Sequence, residues 1–256
     1  MPASAYATNP AGVTCQFNAD THTYMTGLTE LTSVTRFVKH FFPPFDAATI
    51  AARVADRDGK TPESVLAEWD AKRDAAARLG TRVHEVAEDA VLGRAPRHQP
   101  ETERERALMA AAWEHIETMR ADGWEFVGAE MIVFSEPLRL AGCIDLAARA
   151  PGNGGLWLLD WKTNESIDTN AKYGGTGLYP IGVLPDCNHV HYSLQLATYE
   201  TILRKGGYIG KDELVGSLLL HVTDRGVCPM HVRQDARLYV PAMIVEHLTD
   251  PWDLPF

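Results

Sequence analysis

The sequence predicts one α/β (α+β) domain in which a central mixed β-sheet is flanked by helices. A chain of 256 residues with 45% apolar residues is long enough to bury one substantial core. Helical patterns dominate its first half, strand patterns its second, and no repeat or low-complexity linker divides them. We expect a hairpin and helical region over 1–122, a sheet core over 123–240, and a C-terminal helix and tail over 241–256.

The first half predicts a hairpin followed by several helices. Residues rich in β-formers surround an Asn/Asp turn, and helical spacing begins at Thr32 or Ser33. Asp46 is suited to cap the next helix, and a proline opens another over 62–92. A further helix is expected over about 101–121.

The second half supplies the sheet. The segments WEFVGAEMIVFSE and LRLAGCIDLAAR have strand character on either side of Pro137, and GGLWLLDWKT is a third strand. A hairpin around residues 224–226 adds two more strands. A Gly/Pro-rich connection over 164–187 leads into a helix from about 188 to 205.

Composition argues against several classes of protein. The net charge of -10 disfavours coating of duplex DNA by bulk electrostatics, although it leaves room for a local basic groove. The apolar stretches are much shorter than the roughly 20 residues of a membrane span, so we expect a cytoplasmic protein without a membrane partner. No C-x-x-C pair joins the four scattered cysteines, Cys15, Cys143, Cys187 and Cys228.

Charged residues interrupt two of the apolar strand patterns. Side chains alternate along a strand, so Asp160 and Lys162 share one face. Asp145 interrupts the preceding strand, where a buried carboxylate needs a partner. Two carboxylates held close repel each other, and a hard divalent cation relieves that repulsion. A simple ion pair at a strand end is the alternative that these residues leave open.

These residues carry a family resemblance. The motif GCIDL, followed by DWK 15 residues after its aspartate, resembles the PD-(D/E)XK nuclease core. In that resemblance Asp145 is the first acid, and Asp160 and Lys162 form the D-x-K motif. The resemblance implies a restriction-endonuclease-like core within a single nuclease domain over 1–256.

Two flanking motifs place the resemblance in one branch of that superfamily. GTRVHE, with His84, lies upstream, and QLATY, with Gln195 and Tyr199, lies downstream. From Thr81 to Tyr199 the order of motifs is similar to the RecB-type branch. That branch includes helicase-associated, CRISPR-associated, phage and mitochondrial genome-maintenance exonucleases.

The resemblance implies a set of metal ligands. His84, Asp145, Asp160 and the backbone carbonyl of Trp161 would bind Mg²⁺, for which Mn²⁺ would substitute. Glu130 interrupts a strand as Asp145 does, and is either a further ligand or an exposed strand glutamate. No iron-sulfur cluster is expected, because the cysteines lack clustered spacing.

The remaining site residues are assigned to catalysis and substrate binding. Lys162 would position the attacking water, and Gln195 and Tyr199 would lie beside the site and help to place DNA or the lysine. Lys172 and Tyr173 lie in the long connection, and could grip a single strand by charge and base stacking. A plain surface loop is the alternative for this segment.

The function implied is a metal-dependent DNA exonuclease acting on ends or single strands in recombination, repair or phage DNA processing. The chain has no G-x-x-x-x-G-K-[ST] motif. The nuclease would therefore act alone, or with a separate helicase, recombinase or single-strand-binding protein in a bacterial or phage-infected cell. The alternative is a nucleic-acid-binding or assembly module with little cleavage activity. The acidic charge favours that alternative, and the complete set of site residues argues against it.

Overall fold

The N-terminal region of the computed structural model is an antiparallel meander of four strands. The structure describes residues 4–172 and 174–249, so Tyr173 and the predicted tail over 250–256 lie outside the described residues. The second and third strands of this meander form the predicted hairpin. A further strand pairs with each of them on its outer edge. The strands are β1 (Ser4–Thr8), β2 (Thr14–Asn18), β3 (Thr23–Thr26) and β4 (Thr29–Ser33).

Four helices follow, and each has a side-chain cap at its start. Ser33 caps the first by accepting a hydrogen bond from the backbone amide of Arg36, and Asp46 caps the second by accepting one from that of Thr49. Pro62 opens the third helix, as its position predicted. The helices are α1 (Val34–His40), α2 (Ala47–Asp58), α3 (Pro62–Val91) and α4 (Glu103–Ala121).

The second half contains the rest of the mixed sheet and two helices. A long connection without regular helices or strands precedes the first of these helices. The second begins at Ala236 rather than at the predicted 241, with Pro241 inside it. The elements are β5 (Glu125–Ser135), β6 (Leu140–Arg149), β7 (Leu156–Lys162), α5 (Asn188–Lys205), β8 (Val215–Thr223), β9 (Gly226–His231) and α6 (Ala236–Thr249).

The strand pairings show where β7 separates from β6. β5 runs antiparallel along one edge of β6 over nearly its full length. On the other edge β4 pairs in parallel with residues 140–141 alone, and β7 pairs only as far as Leu146, opposite Leu159. β7 continues beyond that point against β8, as far as Lys162 opposite His221. The last three residues of β7 therefore diverge from β6.

Alternate side chains of β7 pack in two hydrophobic clusters on opposite faces of the sheet. Leu158 packs in a cluster with residues of α1, α5 and α6. Leu159 and Trp161 pack in a second cluster with residues of α3 and α4. The alternation places Asp160 and Lys162 on the α5 side of the sheet. The predicted fold class, a mixed sheet flanked by helices, is confirmed. No helix in the described ranges is both long and apolar enough to span a bilayer.

Candidate active site

A helix and two strands bring three potential metal ligands together. His84 comes from α3, Glu130 from β5 and Asp145 from β6. Nδ1 of His84 lies 3.4 Å from Oε1 of Glu130 and 3.5 Å from Oδ2 of Asp145. Within residues 4–172 and 174–249 this is the one group of three such side chains whose donor atoms all lie within 4.8 Å of one another.

Glu130 reaches the cluster through an unusual backbone conformation. Its φ of 49° lies in the left-handed region, which costs a non-glycine residue about 1–3 kcal/mol. The residues on either side of it, Ala129 and Met131, pair with the residues flanking Asp145, so the two acids lie opposite each other. The thiol of Cys143 donates to Oε2 of Glu130 at 3.3 Å. Glu130 therefore joins the cluster, and the alternative of an exposed strand glutamate is wrong.

The point where β7 leaves β6 is held by a side chain. Oδ2 of Asp145 accepts a hydrogen bond from the backbone amide of Trp161 at 2.9 Å. Nε2 of His84 lies 3.2 Å from the carbonyl oxygen of Trp161, 77 positions away in the chain. The backbone of Trp161 is thus held at both its amide and its carbonyl, and binding of a metal by that carbonyl stays a prediction.

Asp160 and Lys162 form a buried ion pair on the α5 side. Nζ of Lys162 lies 2.6 Å from Oδ2 of Asp160, and the two side chains are 15% and 3% exposed. The amide of Gln195 donates to the other carboxylate oxygen of Asp160 at 3.3 Å. Asp160 lies outside the group formed by His84 and its two neighbouring acids. A direct bond from Asp160 to a metal stays a prediction.

Three residues on one face of α5 pack against β6 and β7 at the site. Tyr192, Gln195 and Tyr199 follow the i, i+3, i+7 spacing of one helical face. Nζ of Lys162 lies over the ring of Tyr192, 4.4 Å from its centroid. Tyr199 is only 4% exposed and packs so closely on Gly142 that an added Cβ would lie 2.7 Å from its ring. Direct contact of Tyr199 with DNA stays a prediction.

Tyr192 is the site residue that the sequence analysis missed. The signal that could have found it is its place on the same helical face as Gln195 and Tyr199. Its contact with Lys162 depends on how α5 packs over β7, which the sequence pattern does not specify.

Burial and nearby charges alter the pKa values of two acids at the site, Asp145 and Asp160. Burial raises the pKa of Asp145, an effect that His84 and Lys162 oppose and that Glu130 strengthens. Burial also raises the pKa of Asp160 to about 6, because the attraction of Lys162 does not fully offset it. Burial thus disfavours the charged form of both acids, and their cationic neighbours offset this only in part.

The neighbouring acids raise the pKa of His84 as well. Burial alone would lower the pKa of its imidazole, but the charge of Asp145 and the hydrogen bond to Glu130 outweigh burial and raise it to about 9. The contact with the carbonyl of Trp161 makes Nε2 a donor, so Nδ1 points at the two carboxylates. One imidazole nitrogen and two carboxylate oxygens lie within 4.8 Å of one another, a donor set that fits a divalent cation once Nδ1 has lost its proton.

The cluster opens to solvent through a cleft beside α3. Two further acids of this helix line the cleft, and each contacts a nitrogen of a nearby side chain. Oε2 of Glu85 lies 2.8 Å from Nε2 of His98, and Oε2 of Glu88 lies 2.7 Å from Arg97. The cleft has a volume of about 360 Å³ and is lined by Gly80, Thr81, His84, Glu85, Glu88 and Glu130.

The predicted substrate-gripping residues lie in the connection between β7 and α5. Lys172 is 66% exposed and lies 3.2 Å from Oδ2 of Asp168. Tyr173 lies outside the described residues. A role in binding DNA stays a prediction for both.

A family comparison adds to this geometry. The PD-(D/E)XK nuclease superfamily matches residues 57–242, more than half of the chain and every element of the candidate site. The chain belongs to the PD-(D/E)XK nuclease superfamily. Among curated proteins, none matches it.

Membership of the PD-(D/E)XK superfamily explains the crowding of acids. Nucleases of this superfamily use divalent metals, and this fold implies DNA as the substrate. The cluster of His84, Glu130 and Asp145 supplies a candidate site for such a metal. The buried Asp160–Lys162 pair occupies the D-x-K position expected from the sequence.

Proposed function

We propose that this protein is a Mg²⁺-dependent DNA exonuclease of the RecB type, with Mn²⁺ able to substitute. The observation that carries the proposal is the group of His84, Glu130 and Asp145 beside the Asp160–Lys162 pair. The RecB assignment is supported by the helical histidine upstream and by Gln195 downstream, which contacts Asp160. Action on DNA ends or single strands is inferred from the resemblance to that branch.

The proposed ligands combine hard oxygen donors with one imidazole. Glu130 and Asp145 would hold the cation through carboxylate oxygens, and His84 through Nδ1. The carbonyl of Trp161 and the carboxylate of Asp160 are further ligands in this proposal. When bound, the cation would polarise the scissile phosphate and stabilise the leaving oxygen.

Lys162 would orient the water that attacks the phosphorus atom. Its ammonium is a hydrogen-bond donor whose position is fixed by Asp160 at 2.6 Å. The attraction of Asp160 and Asp145 raises the pKa of Lys162 despite burial, which alone would lower it. The lysine therefore holds the water by donation and stabilises negative charge on the phosphate.

Gln195 would keep Asp160 aligned while the lysine acts. Its amide donates to Oδ1 of Asp160, the oxygen that Lys162 does not hold. In this proposal Lys172 and Tyr173 guide a single strand toward the cleft, and a separate recombinase, helicase or single-strand-binding protein supplies the DNA end in a bacterial or phage-infected cell.

The test compares DNA substrates that differ only in their ends. Purified protein is incubated with linear and circular single-stranded DNA, and with 5′- and 3′-labelled duplexes, with Mg²⁺, with Mn²⁺ or with EDTA. We expect metal-dependent release of short products from linear DNA, with circles resistant. Cleavage of circles at the same rate would replace the exonuclease proposal with an endonuclease.

A second candidate is a DNA-binding or assembly module with little cleavage. The net charge of -10 is the observation that favours it, because an acidic protein suits contacts with partner proteins better than processive travel along DNA. Binding of labelled DNA without any cleavage, in Mg²⁺ and in Mn²⁺ alike, would support this candidate and reject the nuclease proposal.

A further inference from the structure

We propose that Tyr192 is a positioning residue that holds the ammonium group of Lys162 in place for catalysis. The proposal rests on the proposed nuclease function, in which Lys162 orients the attacking water. It adds a residue outside the metal cluster and outside the D-x-K motif.

The contact between the two side chains is close and sheltered. Nζ of Lys162 lies 4.4 Å from the centroid of the Tyr192 ring, inside the roughly 6 Å range of a cation–π contact. The lysine side chain is only 15% exposed, so water competes little for the ammonium. Such contacts strengthen as the cation loses water.

The ring is itself tied to the end of the strand that carries the lysine. The hydroxyl of Tyr192 donates to Oδ1 of Asn164 at 2.9 Å. Nε2 of His221 lies 2.8 Å from the carbonyl oxygen of Asn164, which anchors the same residue to β8. Asn164 follows Lys162 by two positions, so this hydrogen bond joins the ring to the end of the strand that carries the lysine.

The contact with Tyr192 gives the ammonium of Lys162 a second partner besides Asp160. Lys162 pairs with Asp160 at 2.6 Å, although Asp160 is also a proposed metal ligand. A carboxylate that turns toward a cation weakens its hold on the ammonium, whose long stem is flexible. The face of a phenol ring attracts an ammonium without adding a full negative charge that would compete for the metal. Tyr192 can therefore keep Lys162 near the site whichever way Asp160 turns.

The kinetic test separates the ring from its hydroxyl. Tyr192→Phe keeps the ring face and Tyr192→Leu removes it. We expect kcat on linear single-stranded DNA to stay near the wild-type value for Tyr192→Phe, and to fall roughly tenfold for Tyr192→Leu, the order of effect of a desolvated cation–π contact. The KM for DNA and the calorimetric affinity for Mn²⁺ should stay unchanged in both.

Tyr239→Leu is the matched control, because Tyr239 is another partly buried tyrosine packed against the same hydrophobic cluster. It should leave kcat unchanged. If Tyr192→Leu does not fold, Tyr192→Met replaces it, since methionine fills irregular space without a ring.

A second readout does not depend on nuclease activity. Metal-free protein is labelled with a trace of acylating reagent, and mass spectrometry compares Lys162 with Lys205 as an internal reference. We expect faster labelling of Lys162 in Tyr192→Leu, and wild-type labelling in Tyr192→Phe and in the control. If the wild type cuts no DNA, the proposed function fails, while the labelling still decides whether the ring holds the lysine.

Three results would each overturn the positioning role. The first is unchanged kcat and unchanged labelling of Lys162 in Tyr192→Leu. The second is a loss in Tyr192→Phe as large as that in Tyr192→Leu, which would assign the effect to the hydroxyl. The third is a fall in kcat that only follows the fall in melting temperature, which would assign the effect to packing.

Discussion

Two aspartates, Asp89 on α3 and Asp160 on β7, are each only 2% exposed as whole residues. Their surroundings nevertheless shift their pKa values in opposite directions. Asp89 accepts hydrogen bonds from the backbone amide of Arg97 at 2.9 Å and from its guanidinium at 2.6 to 3.1 Å. These bonds lower the pKa of Asp89. Asp160 has Lys162 as its cation, but burial and repulsion from Asp145 raise its pKa to about 6.

The difference distinguishes an acid whose partners fully satisfy it from an acid of the proposed site. The carboxylate of Asp89 is saturated with hydrogen bonds, so a further cation would gain little there. The site instead gathers three acids, Glu130, Asp145 and Asp160, around His84 and Lys162. Burial without full neutralisation favours uptake of a proton or of a cation. The contrast between the two acids agrees with the proposed metal site, and four predictions test it.

The largest effect is expected on activity, from Asp145→Asn and Asp160→Asn. An isosteric amide removes the charge while keeping the shape. Because a metal supplies several kcal/mol of transition-state stabilisation, and each 1.4 kcal/mol is tenfold in rate, we expect losses of about a thousandfold or more. Activity on DNA and the calorimetric affinity for Mn²⁺ are measured, with circular dichroism as the folding control. Wild-type cleavage by either folded variant would remove that acid from the assignment.

The largest effect on stability is expected from Arg97→Ala. Asp89 would remain buried without its partner, which costs roughly 3–5 kcal/mol in free energy of unfolding. Urea denaturation measures it. Arg73→Ala is the control, because Arg73 is 69% exposed, and its pairs with Asp70 and Asp74 should contribute only about 0–1 kcal/mol. A loss in Arg97→Ala as small as in the control would contradict the structural role.

The pH dependence of stability in Asp89→Asn tests whether the charge of Asp89 stabilises the fold. A folded pKa below the unfolded value of about 3.9 stabilises the fold above that pH, and this stability is lost as the pH falls through the folded pKa. The difference in unfolding free energy between wild type and Asp89→Asn should be about 1.5–3 kcal/mol near pH 7 and should shrink below about pH 4. A difference that stays constant to pH 2 would mean that the charge of Asp89 is not what stabilises the fold.

The smallest effect is expected from Gln195→Ala. Its hydrogen bond to Asp160 is long, at 3.3 Å, and it orients a group without supplying charge. We expect a loss of about tenfold in kcat, at the low end of the range for groups that support metal-site residues. Melting temperature is measured in parallel. Equal proportional changes in stability and activity would indicate a packing role.

Much of the site could be predicted because it is encoded by local patterns. Strand alternation places Asp160 and Lys162 on one face, and the structure confirms that they form a close pair. The switch to helical spacing at Thr32 or Ser33, the cap at Asp46 and the proline at residue 62 marked the starts of three helices. Such features depend on neighbours within a few residues, so a sequence carries them directly.

What only the tertiary structure decided is which distant residues meet. The place of Glu130 beside His84 and Asp145 depends on its own left-handed backbone conformation inside a strand, which is uncommon for a residue other than glycine and is not marked in the sequence. The contact of Tyr192 with Lys162 depends on the packing of α5 over β7, and that of His84 with Trp161 spans 77 positions. The N-terminal strand β4 joins the main sheet by pairing with β6, more than 100 positions later. These contacts follow from burial of the two hydrophobic clusters on either side of β7, a free energy set by the whole fold rather than by any one segment.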